Sequence, residues 1–191
     1  MINIKCHDIK YKIEACLNNN KINDLDEINE LIAIYDSKIE TGNELLNVLF
    51  TEKSLYCEQN DIKFSAMIDG TKLDFIQDGD LYCIFGNLMD NALEAVTKIN
   101  NTEKRIINIT VKSKDNLLII QQDNYFDGNI KFDNDGLPIT SKIDKNYHGF
   151  GIQSIKLLVE KYHGTMTTYT SQDVFHLNIL FNVNNLNMQN K

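Results

Sequence analysis

Residues 78–95 read DGDLYCIFGNLMDNALEA, and this stretch decides the fold. Polar residues recur in it at offsets of three and four, which places them on one helix face: Asn87, Asp90, Asn91 and Glu94. The other face is apolar: Leu81, Ile84, Phe85, Leu88 and Leu93. Asparagine is a poor helix former that is usually found at caps, so two asparagines in mid-helix indicate a binding role. The alternative, a solvated polar face, fits less well because Leu88, Ala92 and Ala95 have the character of buried positions.

A second informative stretch, residues 148–164, reads HGFGIQSIKLLVEKYHG. Gly149 and Gly151 stand at the start of an amphipathic helix, and Gly164 is expected to close it. Glycines at a helix start let backbone N–H groups approach phosphate oxygens, and the helix dipole favours negative charge there. On its own, this pair of glycines is better explained by a flexible loop.

Together and in this order, the two stretches resemble the N box and the distal glycine box of the GHKL superfamily. That superfamily comprises gyrase, heat-shock-90-type chaperones, histidine kinases and MutL-type ATPases. The resemblance implies an α+β chain whose catalytic domain is a GHKL (Bergerat) α/β sandwich, with a mixed sheet covered by helices. It also implies ATP and Mg²⁺ as cofactors, which suits the asparagines because Mg²⁺ accepts few protein oxygens and takes the rest from phosphates and water.

The resemblance assigns roles to individual residues. Asn91 is the expected Mg²⁺ ligand, while Asn87 and Asp90 line the site, and residues from about 127 to 148 form a lid over the phosphates. Further nucleotide-binding residues are expected in the lid and the glycine box: Lys142, Lys145, His148, Gly149 and Gly151. The adenine box is atypical, since QQDNYFDG replaces an Asp-x-Gly-x-Gly run. Asp123 or Asn124 is expected to accept a hydrogen bond from the adenine amino group. In the alternative interpretation, Asp123 is only a turn residue that ends the strand.

Asn87 narrows the choice within the superfamily. Members that hydrolyse ATP have a glutamate at this position, where it acts as a general base on water. An amide cannot take up a proton, and asparagine at this position resembles the histidine kinases. Asn87 is therefore expected to belong to a catalytic site that does not activate water. Such a site keeps the γ-phosphoryl group from hydrolysis until a side chain attacks it.

The expected phosphoacceptor lies near the start of the chain. The segment KCHDIKYKI, with His7 and Asp8, resembles the H-D box of histidine kinases in the accessory-gene-regulator, peptide-pheromone (quorum-sensing) group. A neutral imidazole has a free lone pair near pH 7, and the adjacent carboxylate can orient it. A surface histidine is the alternative reading of His7. Tyr11 stands where that group usually has asparagine, which puts phosphatase activity toward a response regulator in doubt.

The chain is expected to have two domains and a tail. Residues 1–57 are predicted to be a dimerising helical hairpin. The segment TGNELLNVLFTEK (residues 41–53) resembles the second helix of the dimerisation hairpin in that family. Residues 58–185 are the predicted GHKL domain, and residues 186–191 a disordered tail. Within the GHKL domain, alternating apolar residues predict strands near 62–68 and 107–111, and a continuous apolar run predicts a buried strand at 117–120. Two further strands are predicted near 165–170 and 174–181. Helices are predicted at 79–99 and 149–162.

Composition excludes several classes of protein. The net charge is −8 and the basic residues are not clustered, which disfavours a nucleic-acid surface. No apolar run is long enough to cross a bilayer, and the start of the chain is unlike a signal peptide. The cysteines have no C-x-x-C spacing, which fits reduced thiols in a cytosol: Cys6, Cys16, Cys57 and Cys83. A cytoplasmic location is expected, with any membrane sensor outside this chain.

The resemblance therefore predicts an ATP-dependent protein-histidine kinase of a two-component system. The homodimer would phosphorylate His7 and pass the group to an aspartate of a response-regulator receiver domain. Two alternatives are a degenerate GHKL module that acts by protein–protein interaction and a serine kinase of the anti-sigma-factor type.

Overall fold

The computed structural model describes residues 39–139 and 150–182 of the 191-residue chain. The predicted first helix of the hairpin, the second half of the lid and the tail lie outside the described residues. The described helices are α1 (Glu44–Gln59), α2 (Asp78–Thr97) and α3 (Phe150–Lys161). The strands are β1 (Lys63–Ile68), β2 (Ile106–Lys114), β3 (Leu117–Tyr125), β4 (Thr165–Ser171) and β5 (Val174–Asn182). In these described parts, no helix is both long enough and apolar enough to cross a membrane.

The strands form one five-stranded mixed sheet in the order β1-β2-β3-β5-β4. β1 pairs with β2 in parallel, and the other pairs are antiparallel. Side chains alternate across the sheet, so that Ile107, Ile109 and Val111 of β2 enter the core while the residues between them face outward. α2 packs on β2 and β3, and α3 packs on β4. The predicted α+β fold with a helix-covered mixed sheet is confirmed.

β3 is longer than the sequence predicts. The sequence predicts a strand only near 117–120, but the strand continues to Tyr125. Asp123 pairs with Asn108 on one side and with His176 on the other, so this part of β3 is the centre of the sheet. Hydrogen bonding to two neighbouring strands outweighs the low strand propensity of aspartate and asparagine.

α1 is part of the sheet-containing unit, whereas the sequence assigned residues 41–57 to the dimerising hairpin. The unit that contains the sheet begins at Ile39. Phe50 of α1 is fully buried, with its ring centroid 6.0 Å from that of Phe64 on β1 and 5.7 Å from that of Phe85 on α2. The apolar face of α1 therefore packs on the sheet and α2, and the predicted boundary after residue 57 stays a prediction.

The segment before α1 is tightly fixed to the connection between β1 and α2. Asn43 caps α1, since its side-chain oxygen accepts a hydrogen bond from the Leu46 N–H at 3.1 Å. The Gly70 N–H donates to the Thr41 carbonyl at 2.7 Å. Gly42 has a φ of +82°, and a Cβ there would lie 2.7 Å from the Thr71 methyl group. Glycine is therefore required at position 42 both for backbone conformation and for space.

Candidate nucleotide site

The two stretches singled out in the sequence meet in the structure. Gly151, in the first turn of α3, lies against the polar face of α2. A Cβ at Gly151 would be 3.1 Å from Asn91 Nδ2, 3.2 Å from Asn91 Oδ1 and 3.4 Å from Asn87 Oδ1. These distances are shorter than or at the limit of ordinary carbon contacts, so the absence of a side chain lets the start of α3 approach both asparagines.

The amide nitrogen of Asn91 is buried without a hydrogen-bond partner in the described part of the chain. Buried polar atoms almost always have a partner, because leaving a donor unpaired costs about 1–3 kcal/mol. An unpaired amide next to the glycine start of a helix fits an oxygen-rich ligand from outside the chain. The amide oxygen can ligate a hard cation such as Mg²⁺, and the nitrogen can donate to a phosphate oxygen.

Asn87, one turn before Asn91, has a partner on its own helix. Its Nδ2 donates to the Cys83 Sγ at 3.3 Å, while its Oδ1 would lie 3.4 Å from a Cβ at Gly151. Asn87 and Asn91 are both partly buried, between the core face of α2 and solvent. The polar face of α2 therefore holds neutral amides against α3, with no carboxylate among the side-chain atoms nearest to Gly151.

A polar cluster at the other end of α3 fixes its orientation on α2. The Asp80 carboxylate, in the first turn of α2, accepts hydrogen bonds from Lys161 Nζ and the Tyr162 hydroxyl, both at 2.5 Å. The Tyr162 oxygen also accepts the Gln77 N–H at 3.1 Å. The hydrogen bonds from Lys161 and then Tyr162 lower the pKa of Asp80, while burial and the bond to Asp80 raise the pKa of Tyr162. This cluster joins the C-terminal end of α3 to the first turn of α2.

Asp90, which the sequence placed in the nucleotide site, has a different partner. Its carboxylate is exposed and lies 2.9 Å from Nζ of Lys53 on α1. A cavity of about 490 Å³ between α1 and α2 is lined by Lys53, Tyr56, Asp90 and Glu94 among others, but not by Asn87, Asn91 or Gly151. We place the candidate site at Gly151 rather than in this cavity, because the unpaired amide and the helix start are there.

The two candidates for the adenine contact lie on opposite faces of β3. Asn124 is 3% exposed, and its neighbours across the sheet, Ile107 and Phe175, both belong to the core beneath the helices. Asp123 faces outward, where its carboxylate lies 2.7 Å from Nδ1 of His176. Asn124 is therefore on the same side of the sheet as α2, and Asp123 is not.

A family comparison agrees with this geometry. The GHKL domain model matches residues 76–182, which is more than half of the chain. The chain belongs to the GHKL domain family. A comparison of the sequence with curated proteins gives no match.

Solved structures similar to this GHKL domain include histidine kinases. The nucleotide-free catalytic domain of ThkA is 17% identical with a TM-score of 0.55, and the alignment covers 75% of this chain and 93% of that one. AdeS of Acinetobacter baumannii is 8% identical with a TM-score of 0.51, covering 96% and 97% of the two chains. The histidine kinase domain of the Erythrobacter litoralis EL346 protein is 12% identical with a TM-score of 0.50, covering 95% and 85%. At these identities the likeness concerns the fold.

The described part of the lid in this GHKL domain is a small hairpin docked on β4. Asp133 Oδ1 accepts the N–H groups of Asp135 at 2.9 Å and Leu137 at 2.8 Å. The Thr168 hydroxyl on β4 donates to the Gly136 carbonyl at 2.5 Å. Several predicted site residues lie outside the described residues: His7, Asp8, Lys142, Lys145, His148 and Gly149. Their roles stay predictions.

Two polar residues at this site were missed in the sequence. Gln122 is fully buried on the same face of β3 as Asn124, to whose Oδ1 it donates, and its own Oε1 is buried without a partner in the described part. Cys83 holds Asn87. Gln122 could have been found from the alternation of β3, because it follows Leu118 and Ile120 at two-residue steps on the buried face.

Proposed function

We propose that this GHKL domain binds Mg-ATP between α2, the start of α3 and the end of β3, as the catalytic domain of a protein-histidine kinase. The observation that carries the proposal is the buried, unpaired amide of Asn91 opposite Gly151. Family membership and the fold shared with histidine kinase catalytic domains support it.

Each described residue has a role in this proposal. Asn91 would ligate the metal ion through its amide oxygen, and the N–H groups at the start of α3 would bind phosphate oxygens. Asn124, on the helix side of β3, is favoured over Asp123 for the adenine contact, with Gln122 beside it. Bound Mg-ATP would supply the γ-phosphoryl group and the metal's charge. The lid residues Lys142, Lys145 and His148 and the glycine Gly149 are proposed to complete the phosphate site, and Asp90 to act at its edge.

Asn87 decides between hydrolysis and transfer in this proposal. A hydrolase needs a base that takes a proton from water, and an amide cannot do so. The described residues next to Gly151 therefore bind and orient the nucleotide. The nucleophile that attacks the γ-phosphorus must come from another part of the protein. His7, oriented by Asp8, is the proposed nucleophile. It attacks the γ-phosphorus, the bond to the β-γ bridging oxygen breaks, and ADP leaves.

The wider function is proposed by resemblance. The chain would act as a homodimer in the cytoplasm, pass the phosphoryl group from His7 to an aspartate of a response-regulator receiver domain, and belong to the accessory-gene-regulator, quorum-sensing group. The H-D box and its resemblance to that group support this assignment.

Labelling with γ-³²P ATP and Mg²⁺ tests the proposal. We expect protein-bound label that is acid-labile and alkali-stable, absent in His7→Gln and Asn91→Ala, and retained in the matched control His163→Gln, an exposed histidine at the end of α3. Acid-stable label would favour a serine kinase. Intact ATP binding without any label would favour a degenerate module that acts by protein–protein interaction.

A further inference from the structure

We propose that Cys83 is a positioning residue of the nucleotide site, which holds the Asn87 amide so that its oxygen faces the nucleotide. This inference rests on the proposed function, because it needs a nucleotide at Gly151. Cys83 lies one helical turn before Asn87, on the same face of α2, and its Sγ accepts a hydrogen bond from Asn87 Nδ2 at 3.3 Å.

The hydrogen bond determines which end of the amide faces α3. With the nitrogen held by the thiol, Oδ1 is the end presented to Gly151, 3.4 Å from where a Cβ would be. A half-turn of the amide would present two N–H donors instead. The oxygen end carries partial negative charge and attracts a cation or a donor, whereas the nitrogen end attracts phosphate oxygens. Cys83 therefore sets the sign of the partial charge that Asn87 contributes.

Asn91 differs from Asn87 in the hydrogen bonding of its amide nitrogen. It lies one turn further along the same face and against the same glycine, but its Nδ2 has no partner in the described part of the chain. One amide of the pair is thus restrained from within α2 and the other is left for a ligand. If neither amide nitrogen had a partner on α2, Asn87 and Asn91 would compete to present the same end of the amide to phosphate or metal. The restraint lets Asn87 act as an acceptor beside the metal ion.

The direct test compares Cys83→Ala, which removes the acceptor, with Cys83→Ser, whose hydroxyl can accept the same N–H. Calorimetric titration of the full chain with ATP is expected to give about three- to tenfold weaker binding for Cys83→Ala in Mg²⁺, the size of one lost hydrogen bond. Cys83→Ser is expected to bind within about twofold of the unmodified chain. In EDTA the difference between Cys83→Ala and the unmodified chain should shrink, because the oriented oxygen then has no metal ion beside it.

Controls separate positioning from folding. Thermal unfolding of Cys83→Ala without nucleotide should match that of the unmodified chain, and Tyr82→Ala, an exposed neighbour on α2, should bind ATP normally. Equal affinities for Cys83→Ala and the unmodified chain would overturn the inference while leaving the proposed function intact. A serine variant as weak as the alanine variant would also overturn it. If the unmodified chain does not bind ATP at all, the proposed function itself fails.

Thiol labelling gives a second measurement. Cys83 is partly exposed, whereas Cys57 is 1% exposed and burial raises its pKa to about 11, which keeps its thiol protonated and unreactive. With iodoacetamide at pH 7.5, peptide mass spectrometry should find label on Cys83, slowed by saturating Mg-ATP, and none on Cys57 in the native chain. Labelling of Cys83 at the same rate with and without Mg-ATP would show that the thiol is not part of the site.

Discussion

Replacement of Gly151 by alanine separates the stability of the fold from the binding of nucleotide. The new Cβ would stand 3.1 Å and 3.2 Å from the Asn91 amide atoms and 3.4 Å from Asn87 Oδ1. These contacts are only a few tenths of an ångström too short, and the atoms that must move belong to side chains. Since alanine is favoured over glycine inside a helix by about 1 kcal/mol, the free energy of unfolding should stay the same or rise slightly.

The same methyl group should impair nucleotide binding. It occupies the space through which a phosphate would approach the N–H groups of α3, and it displaces both asparagines. We expect Mg-ATP affinity to fall at least tenfold, which corresponds to about 1.4 kcal/mol, in calorimetric titrations of the full chain. Gly79→Ala is the matched control, because a Cβ at Gly79 in the first turn of α2 has nothing within 4 Å. It should leave the affinity nearly unchanged, and its stability should stay the same or rise slightly for the same reason of helix propensity.

Two outcomes would refute this reasoning. Normal Mg-ATP affinity in Gly151→Ala would mean that the nucleotide does not approach the start of α3 at this residue. A loss of affinity accompanied by a lower unfolding midpoint in urea would mean that the Asn91 contact supports the fold rather than the site.

Three further predictions concern the structure around the site. Gly164→Ala should destabilise the domain by about 1–3 kcal/mol in urea unfolding, because its Cβ would lie 2.5 Å from the Phe181 ring and 2.8 Å from Val159; an unchanged midpoint would contradict the packing. Phe50→Ala should lower the free energy of unfolding by about 3–5 kcal/mol, whereas Tyr56→Ala on the exposed side of α1 should lower it little. A Phe50→Ala variant as stable as the unmodified chain would mean that α1 does not pack on the sheet. The pKa of Asp80 is lowered in the folded state, so its contribution to stability is complete above its unfolded pKa and is lost as the pH falls through the folded value. The stability gap between the unmodified chain and Asp80→Asn should therefore shrink below about pH 4, and a gap independent of pH would rule out the ion pair.

Periodicity predicted most of the secondary structure. Alternation located β1 and β2, a continuous apolar run located the start of β3, and the 3.6-residue repeat located α2 and α3. It could not assign α1 to a domain. An apolar stripe that contains Leu46, Leu49 and Phe50 has the same pattern whether it packs on a second copy or on the sheet. The boundary after residue 57 therefore rests on resemblance to a hairpin helix alone, and it stays a prediction beside the compact unit that begins at Ile39.

Short-range rules gave only part of the reason for a glycine at the end of α3. Gly164 closes the helix as predicted, since its N–H donates to the Val159 carbonyl at 2.9 Å, while the left-handed residue is its neighbour His163, with a φ of +56°. Gly164 is required because Phe181 of β5 packs where its Cβ would be. Such a reason depends on a residue distant in sequence, and no local pattern contains it.

The candidate site was predictable where it depends on spacing along α2. Asn87 and Asn91 were found because two asparagines on one helix face are unusual, and their meeting with Gly151 follows from the packing of α2 on α3. The Asp90–Lys53 pair and the Asp123–His176 pair were not predictable, since each joins residues far apart in the chain. The choice between Asp123 and Asn124 required the parity of β3, which depends on where the strand ends.

The central claim is that Mg-ATP binds against Asn91 and Gly151. Calorimetric titration of the full chain and of Asn91→Ala with Mg-ATP tests it most directly, with thermal unfolding measured on both proteins. We expect saturable one-to-one binding to the unmodified chain and at least about tenfold weaker binding to Asn91→Ala at unchanged folding. Equal affinities of the two proteins for Mg-ATP would mean that the nucleotide does not bind at Asn91.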